Sequence, residues 1–466
     1  MDAMKAVKIL CPTGHLSFTP LEPDSFHRGC ELAPDFIAAD AGSCDMGPRP
    51  LGADQHVSLE AWQRQDLEYM LLASRRLGVP MIIGSASDTG TDRGVEQFVD
   101  LITDIAGEHR LAPFKLAAIY SEVPVAELKR RLAAGRRIEG LDGRPDADTT
   151  TLERTHRAVA VMNAEPMRKA LKSGADVVIA GRSSDCAIFA APLLNAGFSP
   201  AISYYTGKLM ECASFCAEPF MGKESIMGRV QGESVEVTAM HPGQRCTPAS
   251  IASHAMYERT NPLREYVAGG YVDMTDCRYE QVDPKTTRAS GARFVTDPVV
   301  KVKIEGAGMV GQRRLAIVGI RDPYTIGLID KAIAWGRGKL EERFGPAGES
   351  YQCFFHVYGR DAVMGALESS PPRQPHELCI VVEALHRDAK RAEEICALGA
   401  RNLFYARLPE VKGTAGAAAM MSDEILIGEP GYEWTLNHVI PVGDPLELFR
   451  FRYHRVDANA REEVTS

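Results

Sequence analysis

The sequence predicts an α/β protein: a mainly parallel, Rossmann-like sheet with an antiparallel extension, plus a small α+β domain of ferredoxin-like kind near the C-terminus. Three observations predict it. Three segments within the first 200 residues repeat one grammar, a short apolar run, a Gly/Ser/Asp-rich loop and a helical pattern, which is the mark of βα units and right-handed crossovers. From Gly228 onward the runs shorten and alternate polar with apolar, as antiparallel strands do. Beyond Gly345-Pro346 two further strand-like runs precede one long helical pattern.

The first βα unit runs from Asp35 to Asp45, with its helix read from Ser58, as N-cap, to Leu77. The second is Val79 to Gly84, the loop Ser85-Ala-Ser-Asp-Thr-Gly90, and a helix from about Gly94 to Glu108, whose Val95, Phe98, Val99, Ile102 and Ile105 recur at helical spacing. The third is Asp176 to Ala180, the loop Gly181-Arg-Ser-Ser-Asp-Cys186 and the apolar run Ala187 to Leu194. Lys115 to Tyr120 reads as a strand, Val123 to Gly135 as a helix, and Arg136 to Thr151 as an exposed excursion. Strands are expected at Ser234 to Thr238, Val299 to Ile304 and Arg314 to Ile320, then a helix from Tyr324 to Phe344. Strands Gln352 to Tyr358 and His376 to Leu385 and a helix from Asp388 to Ala406 follow. The Gly/Ala stretch 410–419 reads as a close backbone approach. The domains are then 1–345 and 346–456, with a frayed polar tail at 457–466.

Composition excludes several function classes. A formal charge of -9 over 466 residues argues against a nucleic-acid surface. No apolar run approaches the length that spans a bilayer, and the N-terminus lacks a signal peptide's apolar stretch, so no membrane association and a cytoplasmic protein are expected. The 11 cysteines include no C-x-x-C pair and read as reduced, mostly buried thiols. Gly306-Ala-Gly308-Met-Val-Gly311 has the spacing of a dinucleotide fingerprint, but the residues after it read as a strand rather than a helix. It is taken as a β-turn, and no cofactor is expected; Mg2+ stays open.

In open α/β sheets ligands bind beyond the carboxyl ends of the strands. The three loops there supply Asp40, Ser43 and Asp45; Ser85, Ser87, Asp88, Thr89 and Asp92; and Arg182, Ser183, Ser184 and Asp185. Each loop alone is explained by helix capping, but three together outline a pocket. Arg182 has the planar fork that holds a carboxylate bidentately, with Asp185 to orient it; a structural Arg182–Asp185 ion pair is the alternative. Asp88 reads as a general base or one metal ligand. In His241-Pro-Gly-Gln-Arg-Cys-Thr-Pro248, His241 and Arg245 suit acid–base and binding roles, or the stretch is a rigid connection; Cys246 has no assignable partner base. Cys212 and Cys216 are placed on one buried helix face, and Lys223 and Glu224 are either a surface pair or pocket residues.

Ala175-Asp-Val-Val-Ile-Ala-Gly-Arg-Ser-Ser-Asp185, Leu209-Met-Glu-Cys212 and Val302-Lys-Ile-Glu-Gly306 resemble the acyclic terpene utilisation (AtuA) family over most of the chain. The portion from Phe354 to Phe449, with His376-Glu-Leu-Cys-Ile-Val-Val-Glu383 and the run 405–413, resembles the ferredoxin-like domain that follows the main domain in that family. The family's Gly-Arg-x-x-Asp loop maps onto Gly181, Arg182 and Asp185. The loop Ser85 to Gly90 and the stretch His241 to Pro248 set this chain apart from the terpene-type members. The resemblance implies catabolism of a small or branched carboxylic acid, with a small partner subunit.

The resulting expectation is a hydratase or lyase without a redox cofactor, acting on a carboxylate or hydroxycarboxylate. Arg182 would hold the carboxylate, Ser43, Asp45, Ser85, Ser87, Thr89, Ser183 and Arg245 would line the site, and Asp88, Asp185 or His241 would move the proton. The alternatives are an acyl-CoA or terpenoid-acid enzyme, and a non-catalytic subunit that needs a partner. Homo-oligomerisation is expected from size and apolar content.

Overall fold

A computed structural model describes residues 6–348, 350–370, 375–406, 408, 418–420, 425–457 and 460–465. The chain forms two compact units, Met1–Gly308 with Trp434–Ser466, and Met309–Glu433.

The first unit is a mixed α/β structure around an eleven-stranded sheet. Its middle is parallel: β1 (Val7–Cys11), β2 (Phe36–Gly42), β3 (Met81–Asp88), β4 (Phe114–Tyr120) and β5 (Val177–Ala180) lie in the order β1-β2-β3-β5-β4. These strands are near-continuous apolar runs because helices cover both faces. On one face Ile37, Ala39, Ile83 and Ile179 pack against Leu67 and Leu71 of α1 (Glu60–Leu77) and Phe98 and Val99 of α2 (Asp92–Glu108). On the other, Ala38, Ile82 and Val178 meet Ile188 and Phe189 of α3 (Asp185–Asn195) and Ile202 and Tyr205 of α4 (Pro200–Met210). Each fully buried Ile, Leu or Phe contributes roughly 1.5–3 kcal/mol. The packing is close enough that a Cβ on Gly84 would lie 2.3 Å from Ile188 Cδ1.

The expected antiparallel extension follows β1: β6 (Ile226–Gln231), β7 (Ser234–Ala239), β8 (Arg278–Asp283) and β9 (Thr286–Ser290) stand in the order β1-β6-β7-β9-β8. The far edge was not foreseen. There β10 (Arg450–Val456) pairs antiparallel with β4, Arg450 opposite Tyr120, and β11 (Arg461–Val464) pairs with β10 instead of fraying. The sheet is therefore mixed rather than mainly parallel.

Local corrections have physical causes. The Gly306 to Gly311 segment is no turn but lies inside one strand, Lys301–Ile320. Its glycines admit close neighbours: a Cβ on Gly306 would lie 2.8 Å from the Leu436 side chain, and one on Gly308 1.9 Å from the Arg154 carbonyl oxygen. The excursion from Arg136 to Thr151 is partly core, burying Ile138 and Ala147. Helix α1 begins at Glu60, and Ser58 does not cap it. Thr91 caps α2, its hydroxyl accepting from the Gly94 amide.

In the second unit residues 312–320 pair with Leu378–His386, which pairs with Tyr351–Tyr358. Helices α6 (Ile329–Phe344) and α7 (Ala389–Tyr405) contribute Ile333, Leu340, Ile395 and Leu403 to a core with Val318, Ile380 and Val382. The expected helix from Tyr324 is broken at Leu328. This unit begins at 309, not 346, because residues 312–320 form one of its strands, and it ends at 433 because Leu436 and Ile440 pack in the first unit's core and His438 pairs with Gly140 there. Most of the Gly/Ala stretch, 410–417, lies outside the described residues. Among the described residues no helix is long and apolar enough to cross a membrane.

Candidate active site

The carboxyl ends of β1, β2, β3 and β5 lie side by side in the parallel part of the sheet, three of them carrying the loops singled out in the sequence, and these loops do different work. At the end of β3, Ser85 (φ +49), Ser87 (φ +55) and Asp88 (φ +69) are left-handed without being glycine. Each such residue costs on the order of 1 kcal/mol and persists only where neighbours over-determine it. Asp88 is the main tie: it accepts from the Val57 amide (2.6 Å), the Ser58 amide (2.8 Å) and the Ser58 hydroxyl (2.6 Å). Burial would raise its pKa, but the nearby His15 imidazole and the hydrogen bonds from Ser58 and Val57 outweigh it and hold Asp88 below the usual carboxylate range. A carboxylate so satisfied anchors a loop; it is a poor general base.

Arg182 is likewise engaged inside the protein. Its Nε donates to Glu305 Oε2 at 2.8 Å, Nη2 reaches Glu305 Oε1 at 3.5 Å, and Nη1 donates to Ser85 Oγ (3.0 Å) and the Ser183 carbonyl (3.2 Å). Asp185 stands 3.6 Å from the same guanidinium. Glu305 also accepts from Lys303 Nζ at 2.9 Å. Burial would raise the Glu305 pKa, yet the charges of Arg182 and Lys303 prevail and hold it at about 2. The bidentate fork foreseen for Arg182 exists, and its carboxylate is Glu305 rather than a substrate. Glycines make the approach: Gly90 (φ +64) lies so close that a Cβ there would be 2.1 Å from the Arg182 amide nitrogen.

A cavity of about 260 Å³ opens beside this pair. Five carboxyl side chains line it, Asp40 and Asp45 from the end of β2 and beyond, Asp185 from the start of α3, and Glu211 and Glu258. Asp40 is 7% exposed, and its Oδ1 has no hydrogen-bond partner among the described residues. Burial first, and then the Asp185 charge, push the Asp40 pKa well up; burial raises Asp185 too, while Arg182 and a hydrogen bond from Asp40 draw it back. The pair is thus a buried acid, Asp40, beside a carboxylate that can receive its proton.

His15, Phe18 and Cys212 complete the wall with Ser43. The His15 ring stacks on Phe18 (centroids 5.4 Å apart), and its Nε2 lies 3.9 Å from Asp88 Oδ1. The His15 carbonyl accepts from Lys223 Nζ at 2.6 Å, and burial lowers the Lys223 pKa to about 8. Asp66 ties the same loop by accepting from the Ser17 and Leu21 amides at 2.8 and 3.0 Å. Helix α4 ends at Met210, so Cys212 (φ +44) sits in a turn and Cys216 in a separate helical turn, not on one helix face. Glu211 pairs with Lys208, and its carbonyl meets His254 Nε2 at 2.8 Å. Burial, reinforced by Lys208, lowers the His254 pKa to about 3, so the imidazole is neutral.

Of the residues singled out in the sequence, Asp40, Ser43, Asp45 and Asp185 therefore share one cavity, with Ser85 and Arg182 behind it. Others lie elsewhere. Ser87 is buried against Gln97 (3.1 Å), Thr89 bonds to Thr91 (3.2 Å), and Ser183 donates to the Gly181 carbonyl (2.8 Å). His241 Nδ1 accepts from the Gly243 amide (3.0 Å) with Glu224 3.9 Å from Nε2, and exposed Arg245 pairs with Glu218 at 3.1 Å. That stretch is the rigid connection, leading into the capping box of α5 (Pro248–Met256). Burial pushes the Cys246 thiol to about 12, which removes it as a nucleophile. Among the described residues no group of three or more His, Cys, Asp or Glu could hold a metal ion. Sequence reasoning missed His15, Glu211, Glu258 and Glu305; only His15, just past the turn that ends β1, carried a positional signal.

A family model described as acyclic terpene utilisation family protein AtuA matches residues 7–428. No curated protein and no solved structure matches the chain.

Proposed function

Because the chain belongs to the acyclic terpene utilisation family AtuA, we propose that it is a catabolic enzyme of the lyase class, removing water from, or adding it to, a small hydroxylated acyl compound. The family supports the catabolic role. The observation that carries the chemistry is the Asp40–Asp185 pair in the wall of this cavity. In dehydration, Asp185 takes the proton from the carbon beside the acyl carbonyl, the C–O bond to the hydroxyl breaks, and Asp40 protonates the departing oxygen, leaving a C=C bond and water. Hydration is the reverse. His15, backed by Asp88, is the second group in reach of the same space.

The cavity is slightly smaller than the range usual for ligand pockets, which suits a small compound or the reacting end of a larger one. The carboxylate grip expected of Arg182 is not part of this reading. A substrate carboxylate about 5 Å from one of the lining carboxylates would meet roughly 3 kcal/mol of repulsion at an effective dielectric of about 20. Any carboxylate on the substrate therefore stays outside this lining.

The test is deuterium incorporation by NMR in D2O with hydroxyacyl compounds and their dehydrated counterparts. Exchange at the carbon beside the carbonyl is expected with the wild-type chain and lost in Asp40→Asn and Asp185→Asn. Undiminished exchange in both variants would end this reading.

A further inference from the structure

We propose that two copies of this chain pair through the strand Tyr351–Tyr358, edge to edge and antiparallel, about a two-fold axis at Phe354. The inference is independent of the Asp40 cavity and of the reaction read from it.

The backbone is the first observation. The strand is the outermost of its sheet: it pairs with Leu378–His386 on one side, and among the described residues no strand pairs with the other. Its two ends show which groups face outward. The Val357 carbonyl accepts from the Arg360, Asp361 and Ala362 amides at 3.2 Å, and the Tyr351 carbonyl accepts from the Gly348 amide at 2.9 Å. Both carbonyls thus point away from Leu378–His386, and in an antiparallel ladder the alternate residues between them, Cys353 and Phe355, point the same way. The amides and carbonyls of Cys353 and Phe355 have no partner on that side among the described residues.

The second observation is what the strand is made of. An edge that stays single is guarded by charges, proline or a bulge. The outer strands of the first unit's sheet are guarded in that way: β8 carries Arg278, Glu280 and Asp283, and β11 carries Arg461, Glu462 and Glu463. Tyr-Gln-Cys-Phe-Phe-His-Val-Tyr has no Lys, Arg, Asp, Glu, Pro or Gly, and it pairs in unbroken register. Its His356 is held by Glu383 at 2.8 Å, while Phe354 and Tyr358 on the same face are 41% and 49% exposed.

The free groups fit a second copy in one register. With Phe354 on the axis, Cys353 stands opposite Phe355 of the other copy, each such pair exchanges both N–H···O bonds, and every free group is used. Moving the axis to Cys353 or Phe355 brings in Tyr351 or Val357, whose carbonyls are already taken. In the favoured register Phe354 meets its own copy at the closer, non-hydrogen-bonded spacing, an aromatic pair, and Gln352 meets His356. No like charges meet, a condition that a strand pairing with itself has to satisfy.

The experiment is sedimentation equilibrium of the full chain at micromolar concentrations under reducing conditions, where the wild-type chain is expected to be a dimer. Phe354→Glu sets a carboxylate opposite its own copy, and Cys353→Pro removes an outward amide. Each should weaken dimerisation at least about tenfold while leaving the far-ultraviolet circular dichroism unchanged. Phe354→Cys tests the register separately: mild oxidation should link two copies, since directly opposite Cβ atoms lie about 4.5–5.5 Å apart, whereas Tyr358→Cys, far from its own copy, should link none. A wild-type monomer throughout that range overturns the proposal, even one that captures a strand of another protein. So does a dimer that survives both substitutions, or one that Tyr358→Cys links as readily as Phe354→Cys.

Discussion

Replacing Glu305 by Gln removes the charge that balances Arg182 and leaves the shape nearly intact. Glu305 is 4% exposed and Arg182 7%, so the exchange leaves a guanidinium buried with only Asp185, 3.6 Å away, as a carboxylate partner. Lowering the Glu305 pKa from 4.5 to about 2 corresponds to about 3 kcal/mol of folded-state stabilisation. That agrees with the roughly 3–5 kcal/mol lost when one member of a buried ion pair is removed. A carboxylate whose pKa is depressed by folding stabilises fully above its unfolded value, and the benefit disappears as pH falls from about 4.5 towards 2. Urea unfolding of both proteins should therefore show a gap of about 3 kcal/mol at neutral pH, shrinking by about 1.4 kcal/mol per pH unit below about 4.5. A gap under roughly 0.5 kcal/mol at neutral pH, the size of an ordinary surface substitution, would refute the reasoning, and so would a gap that ignores pH.

Two further outcomes follow from the same site. Gly90→Ala puts a Cβ 2.1 Å from the Arg182 amide nitrogen at a φ of +64, and should lower stability by about 2–4 kcal/mol, read as a fall in melting temperature; an unchanged melt would show that the Arg182 loop is not held as described. His254, with its pKa lowered to about 3, weakens the fold as pH falls from 6.5 towards 3 by up to about 1.4 kcal/mol per pH unit. His254→Gln keeps a donor for the Glu211 carbonyl and does not titrate, so its stability should fall less steeply over that window; parallel curves for the two proteins would contradict the assignment.

The convergence of polar loops at strand ends was legible because strand period, loop composition and helix period are all local signals. Asp40, Ser43, Asp45 and Asp185 were found that way. The roles of Arg182 and Asp88 were not, since each is set by a partner far along the chain: Glu305 lies on the strand Lys301–Ile320, and Ser58 precedes α1. The left-handed backbone at Ser85, Ser87 and Asp88 left no trace either, because serine and aspartate there read equally well as helix caps. Cys212 and Cys216 were misplaced because their i, i+4 spacing reads as one helix, whereas α4 ends at Met210 and Cys216 lies in a separate helical turn. The glycines between 306 and 311 were read as a turn when they mark contacts made within a strand.

Strand β10 has a consequence for how the chain is made. Its seven residues, 450–456, cover the edge of β4, which is synthesised more than 300 residues earlier. During translation the sheet is thus open along Phe114–Tyr120 until the whole of 309–433 has emerged, and that insertion has its own core to fold around in the meantime. An uncovered strand edge is a template for pairing with another chain. The interval between the emergence of β4 and that of β10 is the period in which nascent copies are most exposed to mispairing, and slow elongation through the insertion would lengthen it.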